Sequence, residues 1–439
     1  MSRDGFMEVC ERILGLLPSG AEAQVTVNRG HSGLTRFANS YIHQNVAEEA
    51  VSVRLKVALD GRVATAGTNQ SDDEALDRLV GATVAAAKLR PVDPAWAGMA
   101  PAAPAPDVEH YDEATATADP DARARAVRAF VDAGDGLSAA GYCDTTGSIV
   151  AFANTAGQRL DGRMSRATIS GIHQTPTSEG VGGQTSALLG ELDAGAEGTR
   201  AAAKARAGAE VVDIEPGVYE VVLEPDCVAN MLGFIASSGF NAKAVQEDRS
   251  FVHLGEQQFD ERITIFDDAT DPRTIGFLFD AEGTPRRPLD FVRGGVTTGI
   301  AHDRRTAARS GTGSTGHASM MGESFGAAPA NLFLAEGETS LEELIGAVER
   351  GLLVSNFHYT RILDPKTQVV TGLTRSGVFL VEDGKVGGAV SNLRFTQSYV
   401  GALAPGKVKG VGSDGRLVSG YHVPSLHLAG WNFTGGAKG

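Results

Sequence analysis

Histidines are the first candidates for metal or acid–base chemistry, and this chain has ten of them. Zinc ligands must share one face of an element, which spacings of three or four residues achieve in a helix. The closest pair, His422 and His427, has Pro424 between its members, so one helix cannot carry both. In a strand their odd separation would point them to opposite faces. We therefore interpret them as two independent imidazoles, and His253 with Glu256 would need further ligands that the sequence does not indicate.

A glycine-rich stretch is the next candidate. Gly311, Gly313 and Gly316 have the spacing of a dinucleotide-binding loop, but such a loop follows a buried strand, whereas residues 303–309 are charged. Ser314, between these glycines, lacks the upstream glycine that a nucleophile elbow needs. The stretch therefore predicts a flexible Gly/Ser/Thr loop rather than a nucleotide or hydrolase site.

Two charged groups also resemble functional sites. His302 beside Asp303 suggests a base with its orienting carboxylate, but adjacent side chains need not face each other, so we predict a polar pair in a turn. Asp267, Asp268 and Asp271 lack the regular spacing and central glycine of a calcium loop. We predict a solvated turn for these three carboxylates.

The elements around these residues predict an α+β fold. Fifty-five glycines, against seventeen prolines, exceed average usage and favour tight turns and hairpins over a helical bundle. We expect a mixed N-terminal α/β domain over 1–216, with a Pro/Ala connector at 91–106, and a β-rich, barrel-like C-terminal domain over 217–439. In the first domain we predict strands at 21–28 and 34–46, a hairpin at 51–66 turning at Asp60 and Gly61, and helices at 72–90, 119–133 and 197–209. In the second we predict a strand at 218–223 and helices at 226–240 and 340–350, the latter with a capping box of Ser340 and Glu343.

Charge and composition exclude several classes of function. A formal net charge of -15 would repel a phosphate backbone, so we expect no nucleic-acid partner. The sequence contains no apolar run of the ~18 residues that a membrane span needs, so we expect no membrane partner either. Cys10, Cys143 and Cys227 are odd in number and far apart, which argues against a disulfide framework. We therefore expect a cytoplasmic protein.

Longer blocks of sequence resemble the TldD/PmbA family of peptidase subunits. They are LTRFANS at 34–40 with IHQN at 42–45, the segment 285–303 running into HDRRTA at 302–307, and the segment 351–381 with FHYT at 357–360 and TGLTRSG at 371–377. The blocks are in the family's order and extend over essentially the whole chain. Their weakest zone is the Pro/Ala connector.

The resemblance implies a site that has lost its metal ligands. In this family a TldD-type subunit carries a His-Glu-x-x-x-His zinc motif and a distant Cys ligand; the zinc polarises the scissile carbonyl and lowers the pKa of bound water. The matching positions here are Leu232, Gly233 and Ser237, and Val411 replaces the Cys. No histidine occurs from 174 to 252. The resemblance therefore implies no catalytic residue, no metal ligand and no cofactor in this chain, and zinc in its partner.

We accordingly expect a non-catalytic partner subunit of the TldE/PmbA type. It would join a TldD-like catalytic subunit, as a heterodimer or higher hetero-oligomer, and help to form the chamber that binds and cleaves unfolded or small peptides. Two alternatives stay open: an autonomous hydrolase that acts on a small peptide conjugate through an unrecognised site, and a peptide-binding module without catalysis. The substrate-binding residues are not assigned.

Overall fold

The N-terminal half is built on one long-stranded antiparallel sheet. The computed structural model describes residues 3–209, 211–322 and 324–436, so the ends of the two predicted domains, 1–2 and 437–439, lie outside the described residues. The sheet has the order β3-β2-β1-β4-β5-β6. Its strands are β1 (Glu22–Ala38), β2 (Tyr41–Leu59), β3 (Arg62–Thr68), β4 (Ser138–Asn154), β5 (Arg159–Gln174) and β6 (Glu179–Ser186).

Two left-handed turns set the register of the first three strands. Asp60 and Gly61 both have positive φ, which confirms the predicted hairpin. Asn39 and Ser40 also have positive φ, of 51° and 65°, and they turn β1 into β2. The prediction of separate strands at 21–28 and 34–46 was therefore wrong, because the second one spans this turn. No glycine marks the turn, so its signal in the sequence is weak.

Helices cover this sheet and fill its core. They are α1 (Arg3–Gly15), α2 (Asp73–Leu89), α3 (Glu113–Ala116), α4 (Pro120–Asp132) and α5 (Ala194–Ala207), with a 3-10 turn at Leu189–Glu191. Asp72 caps α2 as predicted, since its side chain accepts a hydrogen bond from the Ala75 N–H. Helices α1 and α2 pack on one face of the sheet, where Phe6, Leu76 and Val25 are buried together.

The Pro/Ala connector has no helix or strand, as predicted, but it is firmly held. Asp93 forms an ion pair with Arg305 of the C-terminal half. The Arg304 guanidinium donates hydrogen bonds to the carbonyl oxygens of Ala97 and Gly98. The connector therefore joins the two halves of the chain in space as well as in sequence.

The C-terminal half contains two further sheets. A six-stranded sheet has the order β11-β10-β9-β12-β21-β20. A ten-stranded sheet runs β14-β15-β18-β22-β8-β13-β16-β17-β7, and β19 also pairs with β22. The strands are β7 (Val211–Val212), β8 (Gly217–Leu223), β9 (Ile265–Asp267), β10 (Leu289–Arg293), β11 (Val296–Thr297), β12 (Leu332–Leu334), β13 (Arg350–Val354), β14 (Phe357–Asp364), β15 (Val369–Thr374), β16 (Val378–Glu382), β17 (Lys385–Val390), β18 (Leu393–Ser398), β19 (Val408–Val411), β20 (Arg416–Val418), β21 (Tyr421–Val423) and β22 (Leu426–Gly436).

These sheets confirm the α+β class and the β-rich C-terminal half. Within the described part of the chain both sheets are open, and no closed barrel forms. The remaining helices are α6 (Pro225–Ser238), α7 (Ala242–Gln246), α8 (Arg304–Ser310), α9 (Leu341–Gly346) and α10 (Tyr399–Ala402). The capping box of Ser340 and Glu343 is present, but α9 ends before 350 because Arg350 already begins β13. None of the helices in the described residues is long and apolar enough to cross a membrane.

The boundary near 216/217 stays a prediction. Strand β8 begins at Gly217, yet the preceding strand β7 already pairs with β17 of the C-terminal sheet. Helix α5 also packs close to this junction, where Lys204 forms an ion pair with Glu224.

Stability should fall in mildly acidic solution because His173 is buried in the N-terminal core. Its ring stacks on Phe130, and one ring nitrogen lies 3.0 Å from the Phe130 carbonyl oxygen. Burial and the nearby Arg206 guanidinium lower the pKa of His173 below 6.5. The unfolded chain thus binds the proton more readily, so this contribution to stability is complete above pH 6.5 and is lost as the pH falls towards the folded-state pKa.

Urea unfolding of the wild type and of His173→Gln, measured from pH 8 to about 5, tests this prediction. We expect a shallower loss of unfolding free energy below pH 6.5 in His173→Gln. His43→Gln, at an exposed position of β2, is the control and should follow the wild type. Identical pH profiles for wild type and His173→Gln would contradict the assignment.

Candidate functional site

Helix α6 carries three of the four positions at which the family resemblance locates lost zinc ligands. It follows strand β8, whose last three residues are buried, and Pro225 occupies its first turn, where a missing N–H costs nothing. Glu224 stands at its N-cap position but makes no side-chain cap hydrogen bond. The Glu224 carboxylate instead contacts Lys204.

Glu224 forms a buried ion pair with Lys204 of α5. The Lys204 Nζ lies 2.6 Å from a Glu224 carboxylate oxygen, and the side chains are 14% and 6% exposed respectively. Burial alone would raise the pKa of Glu224, but the Lys204 ammonium and the nearby Arg200 guanidinium outweigh it and hold the pKa below its usual value. The pair joins the last N-terminal helix to the first helix of the C-terminal half.

A second link fixes the same end of α6. Arg416 of β20 forms an ion pair with Asp226 in the first turn of α6. Its other terminal nitrogen donates a 2.8 Å hydrogen bond to the carbonyl oxygen of Gly183 in β6. Sequence analysis missed this network, because its members are far apart in the chain.

A cavity of about 590 Å³ lies beside α6. Its polar wall includes Asn230, whose side chain donates to the Thr360 hydroxyl at 2.9 Å and accepts from the Tyr399 hydroxyl at 2.9 Å. The residues that line it are Asp226, Ala229, Asn230, Gly233, Phe234, Ser237, Asn356, Phe357, Val418, Ser419 and Tyr421. The lining offers amide, hydroxyl and carboxylate groups to a ligand but no imidazole or thiolate.

The four positions implied by the resemblance divide between this cavity and the core. Gly233 and Ser237 line the cavity. Leu232 and Val411 are 3% and 6% exposed and belong to one hydrophobic cluster. Aliphatic side chains, a glycine and a hydroxyl do not fit zinc, which is bound by imidazole, thiolate or carboxylate. Among the described residues no group of three or more His, Cys, Asp or Glu could hold a metal ion.

Cys227, the one cysteine of α6, does not compensate for the missing thiolate. Its sulfur is fully buried and lies 3.5 Å from the Val354 carbonyl oxygen. Burial and the neighbouring carboxylates Asp226 and Glu224 raise the pKa of this thiol well above its usual value. The thiol therefore stays protonated and poorly nucleophilic.

The other histidine candidates lie apart from α6. His422 stacks on Phe333 with ring centroids 5.3 Å apart, whereas His427 lies 2.6 Å from a Glu220 carboxylate oxygen. They sit on the separate strands β21 and β22, as independent imidazoles should. His253 and Glu256 are both exposed.

The predicted solvated turn was wrong for Asp267. This residue is 1% exposed in β9, and one carboxylate oxygen accepts 2.8 Å hydrogen bonds from the N–H groups of Ala330 and Asn331. The other oxygen lies 3.3 Å from the buried His317 ring, at ion-pair distance but outside hydrogen-bond geometry. Asp268, by contrast, lies in the turn after β9. Sequence alone could not identify the partners that make burial of Asp267 possible.

His317 also contacts Thr315, which gives a Thr-His-Asp contact chain. The Thr315 hydroxyl lies 2.9 Å from the second His317 ring nitrogen and also bonds to the backbone of His302. His317 is completely buried and Asp267 is 1% exposed, so a substrate has no access to the imidazole. This contact chain holds the loop in place.

The glycine stretch and the His302–Asp303 pair form the two ends of a short helix. Asp303 caps α8 by accepting a hydrogen bond from the Thr306 N–H, and Gly311 ends α8 with φ of 64°. The sequence predicted a turn around His302 and missed this helix. His302 and Asp303 are both buried. Gly311 therefore terminates a helix, whereas a nucleotide loop would begin one.

Two family models match this chain. The PmbA/TldA metallopeptidase C-terminal domain matches residues 216–435, and the PmbA/TldA metallopeptidase domain 1 matches residues 23–87. Among curated relatives, an uncharacterised protein of Methanocaldococcus jannaschii is 35% identical over 127 residues, 28% of this chain and 30% of its own length. A metalloprotease TldD homolog of Buchnera aphidicola is 26% identical over 175 residues, 39% of this chain and 35% of its own length. The chain thus matches about a third of the length of these relatives.

Solved structures share the fold over nearly the entire chain. TldE from Thermococcus kodakarensis has a TM-score of 0.87 at 17% identity, covering 98% of this chain and 99% of that one. A Thermotoga maritima protein, named as a candidate modulator of DNA gyrase, has a TM-score of 0.88 at 19% identity, covering 98% of this chain and 100% of that one. At these identities the likeness concerns the fold alone.

Removing Lys204 should destabilise the protein strongly. In Lys204→Met the Glu224 carboxylate stays buried without its cation, which costs roughly 3–5 kcal/mol of unfolding free energy. The double variant Lys204→Met/Glu224→Gln removes both charges and should regain most of this loss. Lys366→Met breaks an exposed pair with Asp248 and should leave the unfolding free energy nearly unchanged. Equal effects of Lys204→Met and Lys366→Met in urea unfolding would show that the buried pair does not anchor α6.

Proposed function

Because this chain belongs to the PmbA/TldA metallopeptidase family, we propose that it is the non-catalytic subunit of a zinc peptidase, with a TldD-type catalytic partner. One observation carries the proposal: Leu232, Gly233, Ser237 and Val411 supply no zinc ligand, while a cavity of about 590 Å³ persists beside α6. The chain would help to enclose unfolded or small peptides around the zinc of its partner. We place this complex in the cytoplasm, where the free cysteines Cys10, Cys143 and Cys227 stay reduced.

The residue types at the four positions support loss of metal chemistry rather than an alternative ligand set. A buried imidazole or thiolate without a metal would be a desolvated polar group that destabilises the fold. Leu232 and Val411 instead pack in the core, and Gly233 leaves room for the Tyr421 ring, which would lie 3.2 Å from an added Cβ. The helix is thereby stable without zinc, and its cavity face remains available to a substrate.

An exposed edge of the ten-stranded sheet supports a protein partner. Strand β14 ends this sheet in the described residues. Its Tyr359 and Leu363 side chains are 70% and 60% exposed. Large apolar side chains on an unpaired edge strand are unfavourable in an isolated protein and are usually covered.

We predict that the isolated chain binds no stoichiometric zinc. Elemental analysis of protein purified from zinc-supplemented cells and dialysed without chelator should give only background zinc. One tightly bound zinc per chain would contradict the proposal and would direct attention to His253, His317 and His358. The co-purified complex should contain zinc in proportion to the TldD-type subunit.

We also predict that the chain forms a stable complex with a TldD-type protein and activates it. Size-exclusion chromatography with light scattering should show a mixed species, and peptide hydrolysis should rise by orders of magnitude over either protein alone. Enclosure and orientation of a substrate can lower a barrier by several kcal/mol, up to roughly 7–11 in the ideal limit. Separate elution of the two proteins at micromolar concentration would favour a peptide-binding module instead.

The cavity beside α6 provides a sharper test of the same proposal. Ser237→Phe fills this cavity from the α6 surface and should lower the stimulated hydrolysis rate by about tenfold or more while the complex persists. His253→Phe adds a similar ring at an exposed position and should leave the rate within about threefold. Unchanged stimulation by Ser237→Phe would exclude the cavity from the chamber, and hydrolysis by this chain alone would identify an autonomous enzyme.

A further inference from the structure

A second and larger cavity lies between the two halves of the chain. It measures about 1230 Å³ and is bounded by the sheet face opposite α1 and α2 and by C-terminal residues at 275–281, 318–320 and 328–331. We call it the interdomain cavity. Its apolar lining includes Val150, Phe152, Met164, Phe277 and Phe279. Phe152 and Phe279 pack against each other with ring centroids 6.3 Å apart, which gives the cavity a rigid apolar wall.

The Arg286 side chain brings a guanidinium to this cavity, and part of that guanidinium has no hydrogen-bond acceptor among the described residues. Its backbone is fixed, because the Arg286 N–H donates to the Leu278 carbonyl oxygen at 2.8 Å, beside the bridge between Phe279 and Pro285. Its side chain lines the cavity, and its Nε and Nη1 atoms are enclosed without a hydrogen-bond partner among the described residues. Arginine is ordinarily buried only where its planar donors are satisfied.

Two buried carboxylates, Asp267 and Asp280, lie close enough to Arg286 for its charge to favour their ionised forms, and both accept hydrogen bonds from backbone N–H groups. One Asp280 oxygen accepts 2.9 Å hydrogen bonds from the N–H groups of Glu282 and Thr284, and the other accepts one of 2.8 Å from Ala318. Burial raises the pKa of Asp280, so its negative charge is disfavoured. Asp280 therefore offers Arg286 only partial compensation of its charge.

Two guanidinium groups line the cavity. They belong to Arg54 and Arg286. Among the described residues the lining has one carboxylate, Asp280, and the buried Asp267 carboxylate also interacts electrostatically with Arg286. The Arg54 guanidinium is held at the rim by a 3.1 Å hydrogen bond to the Met320 carbonyl oxygen. The cavity is therefore largely apolar and presents two cationic groups to a ligand, in a protein of net charge -15.

We propose that the interdomain cavity binds a free carboxylate attached to an apolar group, with the carboxylate on Arg286 and the apolar group against Phe152 and Phe279. A guanidinium presents paired donors that match a carboxylate, and burial of aromatic surface supplies affinity. The C-terminal residue of a peptide and a free aliphatic acid both have this chemistry. The inference concerns the isolated chain and does not depend on a peptidase partner.

Isothermal titration of the full chain with three probes tests the proposal. The probes are N-acetyl-Phe-Leu with a free carboxylate, the same dipeptide as its C-terminal amide, and octanoate. We expect the free acid to bind at least about tenfold more tightly than the amide, because a charge-assisted hydrogen bond is about twice as strong as a neutral one. If the dipeptide binds more tightly than octanoate, the ligand is a peptide C-terminus. If octanoate binds more tightly, the ligand is an aliphatic acid. Both results support the site. Equal binding of acid and amide, or no binding of any probe, would overturn it.

Matched variants locate the binding site. Arg286→Met should weaken binding of the free acid at least about tenfold and abolish its preference over the amide. Arg287→Met removes the adjacent, exposed arginine and should bind as the wild type does. Ser52→Phe fills the cavity from an exposed position of β2 and should weaken binding of the acid and the amide alike, with Arg286 intact. Wild-type affinity in Ser52→Phe overturns the proposal even if Arg286→Met does not fold.

Discussion

The buried ion pair between Lys204 and Glu224 is the constraint on which the candidate site depends. A buried carboxylate is tolerated only with a close cation, so α5 and the start of α6 must stay in one relative position. The Arg416 side chain adds a second link, because it contacts both Asp226 and the Gly183 carbonyl oxygen. The charged contacts at its first turn therefore orient helix α6.

This anchoring explains how α6 can keep its position without zinc ligands. In a metal site, the bound ion holds together the elements that carry its ligands. Here Leu232 and Val411 contribute to one hydrophobic cluster, and burial of such side chains supplies about 25 cal/mol for each Å² removed from water. Packing and the ion pair together hold α6, and the cavity beside it keeps Asn230 and Ser237 on its wall.

The parts of the fold that sequence could predict are those specified within a few residues. The Asp72 cap, the Asp60–Gly61 turn and the Ser340–Glu343 capping box are local signals, and the structure contains all three. Asp267 was predicted to be solvated because the groups that donate hydrogen bonds to its buried carboxylate, the Ala330 and Asn331 N–H groups, are more than sixty residues away. Lys204, Glu224 and Arg286 were missed for the same reason, since a charged residue looks like surface until its tertiary surroundings are known.

The two cavities offer different ligand chemistry, so each would suit a different part of a peptide. The cavity beside α6 has Asp226 and neutral amides, so it suits the polar backbone of an extended segment. The interdomain cavity has Arg54 and Arg286 beside aromatic rings, so it suits a single anionic end with an apolar neighbour. A backbone site tolerates many sequences, whereas a terminal carboxylate occurs once per chain. The interdomain cavity would therefore select a peptide by its chain end. The cavity beside α6 would enclose a peptide segment whatever its sequence.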